Sequence, residues 1–105
     1  SGKSMMLAVT AADSAKAYSP SGIHRGTLRE LLRPLEQTAR LCRMRFLPPY
    51  VLFGSLTAPK QGLVQPHCEG YRRLLESLRD ERSGIDRVDA PDIVTAEDML
   101  VREQV

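Results

Sequence analysis

The amino-acid sequence predicts an α/β fold, a parallel strand–helix–strand–helix unit, and three observations carry that prediction. Residues 5–9 (MMLAV) and 50–53 (YVLF) are short apolar runs without polar alternation, as strands buried on both faces are. Each run is followed, after a loop, by a stretch whose apolar residues recur at helical spacing. The connection between the runs contains one of those helices, as parallel neighbours require. Such a unit crosses over in the right-handed sense.

The first strand ends at Thr10. Residues 11–26, rich in Ala, Ser, Gly and Pro, then form a loop long enough to suggest a functional segment. Thr27 and Glu30 make a T-x-x-E capping box that opens the first helix. Its apolar stripe is Leu28, Leu31, Leu32, Leu35, Thr38 or Ala39, and Cys42. Pro34 removes the backbone hydrogen bond to the carbonyl of Glu30 and should bend the helix there. Arg40, Arg43 and Arg45 crowd the end where cations suit the helix dipole. Pro48-Pro49 stops helix before the second strand, and Gly54 closes that strand. The second helix is expected over residues 64–82, with Pro66 in its first turn and a stripe of Val64, Cys68, Tyr71, Leu75 and Leu78. Leu74 lies beside that stripe, His67 is expected outward and Cys68 inward, because adjacent residues cannot share a face. Residues 1–82 thus form one unit, and residues 83–105 a tail, an arm onto a neighbour or disordered, with a short helix over 95–101 capped by Thr95.

The totals narrow the function. The chain has 105 residues, one small domain's worth, and a net charge of +2 with acids and bases intermixed, which argues against a nucleic-acid partner. No apolar run approaches the ~20 residues needed to span a bilayer. Cys42 and Cys68 lack metal-type or C-x-x-C spacing, and two free thiols in a reducing cytoplasm is the expected state. No metal site is expected. The chain starts without an initiator Met and reads as the continuation of a longer protein. Two strands and two helices leave apolar surface for a missing segment or a partner to cover.

The loop carries the strongest signal. Val9-Thr10 ends the strand, Tyr18 follows, and Gly22-Ile23-His24 places a G-x-H so that its His falls six residues after that Tyr. With Gly2-Lys3, Arg33-Pro34-Leu35-Glu36 and Phe46-Leu47-Pro48-Pro49, this set resembles the flavodoxin-like NAD(P)H:quinone oxidoreductases, over about residues 2–82. That family includes the ancillary subunits of glutathione-gated potassium efflux systems. The resemblance implies the C-terminal βαβα half of a flavodoxin-like doubly wound parallel sheet, with the ligand at the switch point. The family's loop that holds the flavin phosphate belongs to the half not included here.

The resemblance also implies roles. Tyr18 and His24 are the catalytic candidates, beside the pyrimidine end of FMN or FAD. There they would support the negative charge that develops when hydride arrives from NAD(P)H on its way to a quinone, by a ping-pong route. Thr10, Ala11, Ala12, Asp13 and Tyr18 are the cofactor-contacting candidates. Residue type alone leaves open a Tyr18 packed on its loop and a solvated His24. The family has a glycine pair where this chain has Ala12 and Asp13. If the loop needs a left-handed backbone there, each replacement costs about 1 kcal/mol. A carboxylate at position 13 either repels a reduced flavin or turns to solvent. A homodimer or higher oligomer is implied, cytoplasmic or peripheral to the inner membrane. So is a second reading, a non-catalytic interaction subunit of a membrane transporter; a third is an inactive fragment.

Overall fold

The computed structural model describes residues 2–80 and 90–102. The elements in order are β1 (Ser4–Met5), β2 (Ala8–Thr10), a 3-10 turn (Ala15–Ala17), α1 (Leu28–Leu31), α2 (Arg33–Leu41), β3 (Arg45–Phe46), β4 (Tyr50–Leu52), α3 (Val64–Arg79) and α4 (Ala96–Arg102). The α/β character is as expected, and both strand pairs are parallel.

The first strand, expected as one piece, is two, and the second is preceded by an additional short strand, β3. β1 pairs with β3 and β2 with β4. The ladder nonetheless runs on: the amides of Arg45, Leu47 and Tyr50 donate to the carbonyls of Lys3, Met5 and Leu7, at 2.9–3.1 Å. Met5 lies opposite Phe46 but Ala8 lies opposite Tyr50, so the second strand carries one extra residue between the pairs. That is a β-bulge, and it falls at Pro48-Pro49, which have no N–H to give a ladder. The extra β3 had no sequence signal, because Arg45-Phe46 looks like the frayed end of the preceding helix.

The first helix is also two. Thr27 caps α1 with a full capping box, its hydroxyl accepting from the Glu30 amide and the Glu30 carboxylate accepting from the Thr27 amide. The helix then breaks at Leu32, where ψ is 6°, and restarts with Pro34 in the first turn of α2. A proline is harmless there, which is why the break precedes it rather than bending a continuous helix. α2 closes with the Met44 amide on the Ala39 carbonyl and the Arg43 amide on Arg40, while Arg43 takes a left-handed φ of 58°. Of the expected stripe, Leu28 and Ala39 are buried; Leu31, Leu35 and Cys42 are exposed.

β4 is buried on both faces, Tyr50 and Val51 alike. Tyr50 enters the main core with Leu47, Leu74, Val94 and Met99, flanked by Met6, Tyr71, Leu78 and Ala96. Of the segment expected as an arm or disordered, the described residues 90–102 fold back onto this core. Val94 bridges to Tyr50 in the parallel sense, its amide donating to Pro49 O and its carbonyl accepting from the Val51 amide, both at 2.9 Å. It covers the edge of β4 that β2 leaves open. Thr95 then caps α4 through the Asp98 carboxylate, as expected, and α4 packs on α3.

On α3 the buried face is Gly70, Leu74 and Ser77, not the expected Val64–Cys68–Leu75 line. Leu74, placed beside the stripe by sequence, is its centre. The same rotation turns Cys68 outward and His67 inward. His67 stacks on Tyr50 with ring centroids 4.7 Å apart, and the Tyr50 hydroxyl donates to the His67 carbonyl at 2.7 Å. Helical periodicity alone could not choose between faces a residue apart; the polar choice was decided by stacking. The helix ends at Arg79 with Asp80 as its cap, short of the expected Arg82; Ser83-Gly84 lie outside the described residues.

Burial lowers the His67 pKa below the ordinary imidazole value, and its Nδ1 is buried without a partner. A buried neutral imidazole that protonates more readily when unfolded gives stability at neutral pH that is lost as pH falls from the unfolded pKa, ~6.5, toward the lower folded one. The expected result is that His67→Phe, which keeps the ring, loses less stability between neutral and mildly acid pH than the wild type. Denaturant midpoints at the two pH values check this; an unchanged difference would refute it.

Candidate functional site

The loop from Ala11 to Gly26 leaves the carboxyl end of β2, next to the carboxyl end of β4. In open parallel sheets this is where ligands bind. Its base is tied to β4 and the turn after it. The Ala11 amide donates to Leu52 O at 2.8 Å, the Ser55 amide to Ala11 O at 3.0 Å and the Gly54 amide to Asp13 O at 2.8 Å. Ala11 is therefore a buried anchor whose own amide is spent, while Thr10, Ala12 and Asp13 are exposed. Neither Ala12 nor Asp13 takes a positive φ; among the described non-glycine residues only Arg25 and Arg43 do. The strain anticipated for replacing a glycine pair is absent.

The tip of the loop is a compact knot. The 3-10 turn delivers Tyr18, and the amides of Gly22 and His24 donate to Ser19 O and Ala17 O at 3.0 and 3.1 Å. Gly22 is required here. A Cβ on it would fall well inside contact distance of the Lys16 carbonyl oxygen and 2.6 Å from that of Ala17. Arg25, directly after His24, is held at φ 51° with its amide on Gly22 O at 3.0 Å. A left-handed non-glycine residue costs about 1 kcal/mol, so the knot stores a little strain.

Three rings meet above it. Tyr18 and His24 stack with centroids 4.5 Å apart and planes 22° apart, and Phe53 lies 5.7 Å from Tyr18 on a tilted plane. Tyr18 is half-buried and His24 exposed at the surface. The Asp13 carboxylate does not turn away to solvent: its Oδ2 lies 2.6 Å from His24 Nε2. The structure thus gathers Asp13, Tyr18 and His24. It adds Phe53, for which the only sequence hint was an aromatic residue at the end of an apolar run.

Elsewhere the candidates are sparser. Arg29 spans to Glu36 at 3.1 Å and to the Asp92 carbonyl at 2.7 Å, and lies over the Phe46 ring. That hydrogen bond from Arg29 holds the Glu36 carboxyl below the usual range. A cavity of about 240 Å³ opens there between Arg29, Arg33, Glu36 and Arg40. Among the described residues no group of three or more His, Cys, Asp or Glu side chains could hold a metal ion. No described helix is long and apolar enough to cross a membrane.

A parallel βαβ unit places the chain among the α/β proteins. More particularly, the chain belongs to the flavodoxin-like fold family, whose model matches residues 1–75. It is similar to general stress protein 14 of Bacillus subtilis, 42% identical over 53 residues, half of this chain and 30% of that protein. It is 35% identical over 80 residues to the uncharacterized NAD(P)H oxidoreductase YrkL of Bacillus subtilis, covering 76% of this chain and 44% of YrkL. It is 34% identical over 76 residues to the glutathione-regulated potassium-efflux system ancillary protein KefG of Cronobacter sakazakii, covering 70% of this chain and 40% of that protein. The chain thus spans less than half the length of each of these curated relatives. No solved structure matches it.

Proposed function

We propose that this chain supplies the flavin-facing loop of a flavin-dependent NAD(P)H:quinone oxidoreductase. The observation that carries the reading is the meeting of Tyr18, His24 and the exposed Ala12–Asp13 backbone at the carboxyl ends of β2 and β4. The residues fit a flavin edge. The Ala12 and Asp13 backbone adopts an unstrained conformation open to a ligand, and the Asp13 charge faces a histidine instead of standing alone. A bound FMN or FAD would supply the centre that takes a hydride from NAD(P)H and passes it to the quinone. Thr10, Ala12, Asp13 and Tyr18 would border that group, with Ala11 fixing the loop beneath them. The Tyr18 hydroxyl would donate a hydrogen bond, and the imidazole of His24 would hold compensating charge. The flavin phosphate falls to a part of the family fold that residues 1–105 do not include.

The exposed Leu31, Leu35, Leu41 and Leu56 are faces for the rest of such a protein, or for a second subunit of a homodimer, to cover. A cytoplasmic location, at most peripheral to the inner membrane, goes with this reading. A second reading, an interaction subunit of a membrane transporter, is favoured by the likeness to KefG and by the carboxylate at position 13. The two separate in one experiment on the protein that carries this chain. Purification should yield the visible absorption of bound flavin, with NAD(P)H-dependent quinone reduction. His24→Ala should lower kcat by about 10²-fold. Flavin-free protein that neither binds added FMN or FAD nor oxidises NAD(P)H would overturn the enzyme reading in favour of the interaction subunit.

A further inference from the structure

We propose that Asp13 is a positioning residue for His24: it fixes the imidazole as the Nε2–H tautomer, so that Nδ1 is the atom His24 offers a ligand. The inference rests on the proposed placement of His24 beside a ligand, but its chemistry is local. An ionised carboxylate only accepts hydrogen bonds. A 2.6 Å contact from Asp13 Oδ2 to His24 Nε2 therefore requires the proton on Nε2. In the neutral ring the other nitrogen then carries the lone pair, and any proton that His24 takes up or gives away moves at Nδ1.

The geometry leaves the ring little freedom. The Asp13 backbone is held by the Gly54 amide on its carbonyl, 2.8 Å, and the His24 amide is held on Ala17 O, 3.1 Å. One face of the imidazole is covered by Tyr18 at 4.5 Å. The Gly22 amide donates to Ser19 O at 3.0 Å, closing a turn within the segment between Ala17 and His24. The ring is thus held at its edge by Asp13, at its face by Tyr18 and through its backbone by Ala17. Such an outer carboxylate is the usual device for choosing which nitrogen of a histidine works.

The test is nitrogen NMR of the imidazoles in the protein that carries this chain, at a pH of about 8, where an ordinary imidazole is neutral. The chain has two histidines, and His24→Gln identifies the signals. The wild type should show His24 as the Nε2–H tautomer. Asp13→Ala should lower the ratio of Nε2–H to Nδ1–H by about fivefold or more. Asp13→Asn, nearly the same shape, can donate its amide to Nε2 and should shift the population toward Nδ1–H, whereas Asp13→Glu should restore the wild-type tautomer. A wild-type ring in the Nδ1–H form, or a ratio indifferent to all three substitutions, overturns the proposal. Flavin binding by the wild type is measured alongside. A fixed tautomer without flavin binding sinks the enzyme reading and leaves the role of Asp13 standing; flavin binding with an indifferent tautomer does the reverse.

Discussion

Gly70→Ala should destabilise the protein by about 1–2 kcal/mol, although the same change in an open helix would stabilise it by about 1 kcal/mol. Gly70 lies in the middle of α3, where a glycine is an intrinsic weakness. Its hydrogen faces Tyr50 and Ala96. A Cβ there would overlap the Tyr50 hydroxyl and sit 2.9 Å from Ala96 Cα and 3.2 Å from Ala96 Cβ. Tyr50 cannot step aside, since it is fully buried and its hydroxyl is bonded to the His67 carbonyl. Burial also pushes its pKa up to about 12, so it stays a neutral donor. Adding Tyr50→Phe removes the atom that the new methyl group meets first. The double variant should therefore be more stable than the sum of the two single changes by about 1 kcal/mol. Denaturant unfolding of the four proteins checks both statements; a neutral Gly70→Ala, or strict additivity, would show that the α3–α4 contact yields more easily than its geometry implies.

Gly22→Ala should cost about 2 kcal/mol and separate His24 from Tyr18. The atoms in the way are two backbone carbonyl oxygens already in use. Lys16 O accepts the Ser19 hydroxyl at 3.0 Å, and Ala17 O accepts the His24 amide. A methyl group inserted between them must break at least the second of these bonds, and that bond sets the height of His24 over Tyr18. The ring-current shift of the His24 imidazole protons reports the stack, and thermal unfolding reports the cost. An unshifted imidazole would mean that the knot has a second way to hold the histidine.

How much of this was legible in the sequence depended on whether the signal was local. The Thr27 cap, the second strand, the start of α3 and the Thr95 cap all rest on residues within a turn of one another, and each is found where expected. The break at Leu32 was only half legible, because Pro34 says that a regular helix cannot continue but not on which side it gives way. The face of α3 was misjudged by about one residue. Its polar members, His67 and Ser77, are buried by a Tyr50 stack and by a hydroxyl bond to the Leu74 carbonyl, neither visible in an apolar pattern. The docking of Val94 and Met99 was missed because the short run 93–95 is separated from β4 by forty residues, with only its β-branched character to announce a bridge. At the site, the spacing of Tyr18 and His24 was legible through resemblance. The pairing of Asp13 with His24 was not, because it joins two residues eleven apart across a loop whose path no periodicity describes.

The extra residue at Pro48-Pro49 also changes what mutation can do in this segment. Side chains along a strand alternate between faces, so an odd change in length exchanges inside for outside. Removing one of the two prolines would even out the count between β3 and β4 but send Tyr50 to the face that Val51 now occupies. The core around Leu74 would then lose its largest member, and the carboxyl end of β4, which carries Phe53, would turn away from Tyr18. Over these few residues the chain should accept substitution far more readily than insertion or deletion, because its length, more than its side chains, tells the core and the loop after β2 apart.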